Sequence, residues 1–290
     1  MNRLKVLVVV KNRVAAFARD ERPMGMWSYA VPEFQWDFLA LGKGFVAHTA
    51  SYASAYDFIF HEDGGNWGQF KGNALPILYH VIDSTLSEKH HYQPRFEQAR
   101  QASLVLIDHD RLERFTGTGK KVLRFEYCIN DKVFKDYGLE KTTDVAFHCG
   151  GSEDRQKVRV RLHDLCREHG WTYTSGVLPL VEYAKAMNRA KITVNWPRAE
   201  GNRPHRVFDA IACRSRLLTA PIPYDTQSHV LYGNDYSIFH DFTELETEIA
   251  RILKEREWAW RTSYHVVHDY HTWAVRAKQL RELVNQEFGL

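Results

Sequence analysis

Asn202-Arg203-Pro204-His205-Arg206-Val207-Phe208-Asp209-Ala210-Ile211-Ala212-Cys213 reads as a polar loop running into a short helix that carries two groups able to hold a ligand. Val207, Phe208, Ile211 and Ala212 recur at helical spacing on one face, which leaves Arg206 and Asp209 together on another. A guanidinium near a helix start suits a phosphate, and a carboxylate beside it suits ribose hydroxyls, so the pair could grip one nucleotide. The competing reading is an ordinary surface ion pair at i,i+3.

Gly150-Gly151-Ser152 follows an apolar run and precedes a helical segment whose first turn holds Arg155. Backbone N–H groups, a helix dipole and a guanidinium could converge there on a diphosphate. The plainer alternative is a strand-to-helix turn with Ser152 as its N-cap. Neither a P-loop nor the G-x-G-x-x-G fingerprint is present.

Asp83 closes the apolar run that starts at Leu75, where a carboxylate could take the proton of an acceptor hydroxyl or simply cap a following helix. Glu62 and Asp63 are the competing bases, because they too follow a strand, in a loop where Gly64 and Gly65 give mobility and Trp67 a stacking surface. The loop from Lys11 to Trp36 interleaves Arg13, Arg19 and Arg22 with Trp27, Tyr29, Phe34 and Trp36. That mixture suits an unstacked base with its phosphates, a saccharide platform or a plain lid. Arg13, Arg22, Trp27 and Trp67 are the acceptor-binding candidates.

Three other chemistries are weaker. Asp108-His109-Asp110 matches a metal-binding D-x-D formally, and His265, His268 and His271 share a helical spacing without a carboxylate to complete a ligand set. No serine lies in G-x-S-x-G, and no cysteine has a nucleophile motif. No metal site is expected.

The elements that must position these groups alternate. Strands are expected at 4–10, 45–49, 56–60, 77–82, 103–107 and 121–124, each followed by a polar or glycine-containing loop, as in an α/β domain with a parallel sheet. The pattern restarts at Asp144 and continues through a strand at 171–173, a helix at 180–189, strands at 191–196 and 217–220, a strand at 235–239 and a helix at 243–254. A last long segment runs from Glu257 to Glu287. This places one domain at 1–140 and a second at 141–290, whose terminal helix could pack back on the first. In open α/β sheets ligands collect at the carboxyl ends of the strands, where the candidate loops fall.

At 290 residues the chain can form two cores, and 44% hydrophobic with 26% charged residues is globular. No apolar run approaches the length of a membrane span. Leu4 to Val10 is too short for a signal peptide core and lacks a cleavage site, so it is read as a buried strand of a cytoplasmic protein, in the host cytoplasm if viral. The four cysteines show no C-x-x-C pairing and are read as reduced thiols. The net charge of +3 is concentrated in neither half and neither demands nor excludes nucleic acid.

Arg206, Phe208, Asp209, Ala212 and Cys213 resemble the nucleotide-sugar helix of GT-B glycosyltransferases, in particular the CgeB/YkvP family, although most relatives have Glu at the position of Asp209 and often glycine at those of Arg214 and Ser215. The segments from Tyr56 to Phe60, up to Asp83, Ala102 to Leu106, Asp144 to Arg155, Tyr183 to Asn195, Arg206 to Thr219 and His271 to Trp273 follow in that family's order. Tyr79 to Asp83, Gly150 to Arg155 and Arg206 to Asp209 look closer still to the DNA β-glucosyltransferases of T-even phages. The resemblance implies an α/β GT-B fold, with two Rossmann-like domains whose parallel sheets face a cleft. It also implies inverting transfer from a nucleotide sugar, a UDP-sugar such as UDP-glucose, held by Gly150, Gly151, Ser152, Arg155, Arg206 and Asp209, with Asp83 as general base. The acceptor it implies is a 5-hydroxymethyl-pyrimidine in double-stranded phage DNA; a saccharide or protein acceptor of the CgeB/YkvP type and a non-catalytic nucleotide-sugar or DNA-binding module are the alternatives. No cofactor is obligatory, though a divalent cation could assist, and a monomer without membrane association is expected.

Overall fold

The computed structural model describes residues 2–11, 27, 29–41, 46–62, 69–81, 92–108, 111–149, 153–196, 206–222, 236–255 and 261–290. Within these residues the chain divides into two compact units. The first takes the described parts of Met1–Arg22 and Trp27–Tyr127 together with Ala274–Leu290, and the second takes Cys128–Trp273.

The first unit is built on β1 (Leu4–Lys11), β2 (Phe34–Leu41), β3 (Val46–His48), β4 (Phe58–Glu62), β5 (Gln69–Lys71), β6 (Ile77–Val81), β7 (Leu104–Ile107) and β8 (Lys121–Arg124). Six of these strands pair in the order β2-β1-β4-β6-β7-β8, and β3 and β5 form a separate two-stranded sheet. Every pairing is parallel. Parallel sheets covered on both faces need strands that are apolar throughout, and Val6, Leu7, Val8 and Val9 of β1 are all buried, as is the whole of β6 and β7. Helix α1 (Gln93–Gln101) and the single turn α2 (Glu113–Thr116) bring Ala99 and Phe115 onto Tyr79, Val81, Val105 and Ile107.

Two strands depart from the sequence reading. Phe34 to Trp36, assigned to the end of a ligand loop, open β2, which forms the sheet edge beside β1. Gln69–Lys71, at the end of the expected glycine loop, pairs with β3 instead of remaining irregular. Both are short-period alternations in which an aromatic residue marks a strand face rather than a ligand surface.

His61 on β4 is 2% exposed, with its ring 5.0 Å from that of Tyr79 and 6.0 Å from that of Phe70, and its Nε2 has no hydrogen-bond partner among the described residues. Burial lowers its pKa from 6.5 to about 4. Because the folded value lies below the unfolded one, the unfolded chain binds the extra proton between those two pH values. Stability is therefore full above pH 6.5 and lost as pH falls toward 4, by about 3 kcal/mol in total. Urea unfolding at pH 7 and pH 4.5 should show this acid loss reduced in His61→Phe; an unchanged acid limb would exclude His61 as its source.

The second unit comprises β9 (Thr143–Phe147), α3 (Glu153–His169), β10 (Tyr173–Ser175), α4 (Leu180–Arg189), β11 (Ala190–Asn195), α5 (Arg206–Ala212), β12 (Arg216–Thr219), β13 (Tyr236–Ile238), α6 (Phe242–Lys254) and α7 (Arg261–Tyr270). Its strands form one parallel sheet in the order β10-β9-β11-β12-β13. The core joins Val145, Phe147, Ile192, Val194 and Leu218 of the sheet to Val158 and Leu162 of α3 and Leu245, Ile249 and Ile252 of α6. Helix α6 starts where the Asp241 carboxylate accepts from the backbone N–H groups of Thr243 and Glu244 at 2.8 and 2.9 Å.

The segment read as one long C-terminal run is two helices, α7 and α8 (Trp273–Phe288). Backbone pairing breaks it: Ile129 donates its N–H to the carbonyl of His271 at 2.8 Å, and Trp273 donates to the carbonyl of Ile129 at 3.1 Å. Trp273 is fully buried at this bridge. Beyond it, Arg276 of α8 is 5% exposed and donates from Nε and Nη2 to the Glu126 carbonyl and carboxylate, both at 3.0 Å, which ties the C-terminal helix to residues following β8 within the first unit. Among the described residues, no helix is long and apolar enough to cross a membrane. The four cysteines are free and buried.

Candidate functional site

Every residue of α5 is buried, including Arg206 at 8% and Asp209 at 2% exposure, so the surface ion-pair reading of this motif is overturned. The expected apolar face is present, but the polar face is covered as well. The helix closes in a Schellman arrangement: Ser215 N–H donates to the Ala210 carbonyl at 2.9 Å and Arg214 N–H to the Ile211 carbonyl at 3.0 Å. Arg214 takes the left-handed conformation that this ending requires, with φ of 52°. Glycine would adopt it without strain. Here an ion pair with Asp136 at 2.9 Å and the Tyr264 ring 5.0 Å beneath the guanidinium hold the larger side chain in place.

Arg206 is the centre of a polar chain across the carboxyl ends of four neighbouring strands. Its Nε donates to the carbonyl of His148, just past β9, at 2.9 Å, and its Nη1 to the side-chain oxygen of Asn195, the last residue of β11, at 3.1 Å. Asn195 Nδ2 donates in turn to Oγ1 of Thr219, the last residue of β12, at 2.9 Å. On the other side His148 Nε2 lies 2.8 Å from Oγ1 of Thr174 in β10, and its Nδ1 lies 3.3 Å from the Gly176 carbonyl. Arg155 reaches the same place from the first turn of α3, where its Nε donates to the carbonyl of Trp196 at 3.3 Å. Arg155 and Arg206 therefore contact consecutive residues at the end of β11.

Asp209 is one helical turn from Arg206, and its Oδ2 is buried without a hydrogen-bond partner among the described residues. Burial pushes its carboxyl well above the usual range, and the Arg206 guanidinium pulls the other way. A buried carboxyl left one donor short costs stability and is justified where a ligand supplies that donor. Its folded pKa is raised, so it destabilises the protein increasingly as pH rises above the ordinary carboxylate range. Asp209→Asn should therefore raise the thermal midpoint of the ligand-free chain at neutral pH and leave it near that of wild type at pH 4, where the raised pKa keeps the carboxyl protonated, while weakening nucleotide binding about tenfold. Calorimetry at the two pH values and a UDP titration check this; an unaltered midpoint at neutral pH contradicts it.

His148, Arg159, Tyr183 and Asn195 escaped the sequence reading. Arg159, one turn after Arg155, donates from Nη2 to the Cys149 carbonyl at 3.0 Å, so two guanidiniums hold consecutive carbonyls at the end of β9. Tyr183 of α4 is 7% exposed, and burial pushes its hydroxyl up while Arg206 opposes the shift. The available signal was positional: His148, Asn195 and Thr219 are polar residues terminating apolar strands, which is where such sheets bind ligands.

Gly150, Gly151, Ser152, Asp83, Asp63, Arg13, Arg22 and Trp67 lie outside the described residues. Glu62 ends β4 and is half-buried. Trp27 is 4% exposed, with its ring 5.5 Å from Phe34, 5.3 Å from Trp36 and 5.1 Å from Phe60. An aromatic cluster on the first sheet thus packs around the ring of this acceptor-binding candidate. Among the described residues no group of three or more His, Cys, Asp or Glu could hold a metal ion. His265 is exposed and His271 is 4% exposed with its ring 4.9 Å from Phe208, so the three spaced histidines do not share one environment.

Residues 137–282 match the model of a family described as glycosyl transferase-like. No curated protein matches the chain. Among solved structures the chain is similar to HepE from Anabaena in complex with UDP and glucose, at 12% identity and a TM-score of 0.64, over 98% of this chain and 100% of that one. It is similar to sucrose-phosphate synthase from Thermosynechococcus elongatus at 12% identity and a TM-score of 0.65, over 99% and 100%. A DNA-modifying β-glucosyltransferase, studied with and without uridine diphosphoglucose, matches at 12% identity and a TM-score of 0.58, over 99% and 100%. The fold class is accordingly that of the GT-B glycosyltransferases.

Proposed function

Because the chain belongs to the glycosyl transferase-like family, we propose that it transfers a sugar from a UDP-sugar to a hydroxyl acceptor, with donor binding in the second unit and acceptor binding in the first. The observation that carries this reading is Arg206, fixed between the ends of β9 and β11, with the buried carboxyl of Asp209 one turn on, whose Oδ2 has no hydrogen-bond partner among the described residues. Arg155 and Arg206 neutralise the diphosphate, and Asp209 accepts from ribose hydroxyls. Gly150, Gly151 and Ser152 add backbone donors at the start of α3.

The acceptor oxygen bonds to the anomeric carbon as the bond from that carbon to the β-phosphate oxygen breaks. The acceptor proton passes to Asp83, UDP leaves with the electron pair, and direct displacement inverts the anomeric centre. Glu62 and Asp63 are the alternative bases. A divalent cation is not needed where two guanidiniums face the leaving group. The acceptor we favour is a 5-hydroxymethyl-pyrimidine in double-stranded DNA, supported by the likeness of the Asp83 segment and the Arg206 helix to the phage DNA β-glucosyltransferases, and the reading extends to a monomer working in the cytoplasm.

A panel of UDP-sugars set against hydroxymethylated DNA, oligosaccharides and peptides, read by mass spectrometry, tests the whole reading. A hexose added to the DNA supports it. Product only on a saccharide or protein moves the chain to CgeB/YkvP-type chemistry. UDP binding without product on any acceptor makes it a binding module, and absence of UDP binding removes the donor site.

A further inference from the structure

His148 is 5% exposed and sits where β9 ends, between two elements that the donor site needs. Its own carbonyl accepts from Arg206 Nε at 2.9 Å, while its ring faces the neighbouring strand. A carbonyl can only accept, so the 3.3 Å contact with Gly176 requires the proton on Nδ1, and Nε2 then accepts from the Thr174 hydroxyl at 2.8 Å. The ring stands edge-on to Tyr183 at 6.2 Å, which fixes its plane. Gly176 has φ of 120°, a conformation that other residues adopt only with strain. The next residues, Val177 and Leu178, are 78% and 37% exposed, so little else holds this segment down.

We infer that His148 is a positioning residue of the nucleotide site, one that locks the segment after β10 to the end of β9 and so keeps the carbonyl that Arg206 grips in register with the diphosphate. The inference rests on the donor-site reading above. Burial first, and then the nearby Arg206 and Arg159 guanidiniums, disfavour a charged imidazole, which agrees with the neutral tautomer that the contacts demand. The role belongs to one nitrogen: Nδ1 bridges the two strand ends, whereas Nε2 contacts a strand already paired with β9.

Asparagine and glutamine separate the two nitrogens, because an Asn amide falls near the position of Nδ1 and a Gln amide near that of Nε2. UDP titration and donor kinetics with UDP-glucose should show His148→Phe and His148→Gln weakened about tenfold in UDP affinity and donor KM, with kcat within about twofold. His148→Asn should recover most of that loss. Equal rescue by Gln and Asn, or undiminished UDP affinity in His148→Phe, overturns the inference alone. A wild-type chain that takes no UDP overturns it together with the donor site. Should His148→Phe fold poorly, the contrast between Gln and Asn at matched thermal midpoints decides the matter.

Discussion

Arg206→Ala is expected to cost the ligand-free protein about 3–5 kcal/mol and to abolish measurable UDP binding. The guanidinium is 8% exposed and satisfies the His148 carbonyl and the Asn195 side chain at once. Its removal leaves both acceptors buried without their donor, opens a cavity and deprives Asp209 of the positive charge that opposes its desolvation. Arg206→Lys distinguishes structure from binding: a single ammonium cannot reproduce the forked contact with two strand ends, so it should recover part of the stability and little of the affinity. Chemical denaturation and UDP titration on both variants supply the measurements. An alanine variant that unfolds like wild type would mean that the polar chain across the strand ends contributes nothing.

Asp83→Asn is expected to reduce turnover by 10² to 10⁴-fold, roughly the range for loss of a general base, while leaving UDP affinity unchanged. An amide keeps the shape and the capping ability of the side chain, so a helix-capping role predicts little effect on turnover. Glu62→Gln is the matched comparison, because Glu62 ends β4 and the alternative assignment puts the base there. Full turnover in Asp83→Asn with its loss in Glu62→Gln would transfer the role to β4. Loss of UDP binding in Asp83→Asn would contradict the division of donor and acceptor between the two units.

The two predictions differ in how their residues came to notice. Arg206 and Asp209 stand out in the sequence because two charged residues interrupt a helical apolar pattern at a spacing that suits one ligand. The helix and the strand that follows are legible in the same periodicity. His148 and Asn195 carry no such mark, since a polar residue ending a strand looks like any loop residue until neighbouring strands are placed. Trp27 shows the limit of composition: an aromatic among basic residues resembles a stacking platform, and only the packing reveals its contacts with Phe34, Trp36 and Phe60.

Alternating apolar runs in the amino-acid order determined that this chain makes parallel α/β units, because strands covered on both faces must be hydrophobic throughout and their crossovers must be helical. Local patterning also located the start of α5 and the residues that flank it. The strand order β10-β9-β11-β12-β13 was decided in three dimensions, and with it the meeting of Thr174, His148, Arg206, Asn195 and Thr219 across the carboxyl ends of its strands. So was the break between α7 and α8, which depends on Ile129 pairing with residues 271–273 far along the chain. Periodicity reports which face of an element is buried, but not what is packed beside it; hydrogen bonds between residues 24 to 144 positions apart exist only once the sheet has closed.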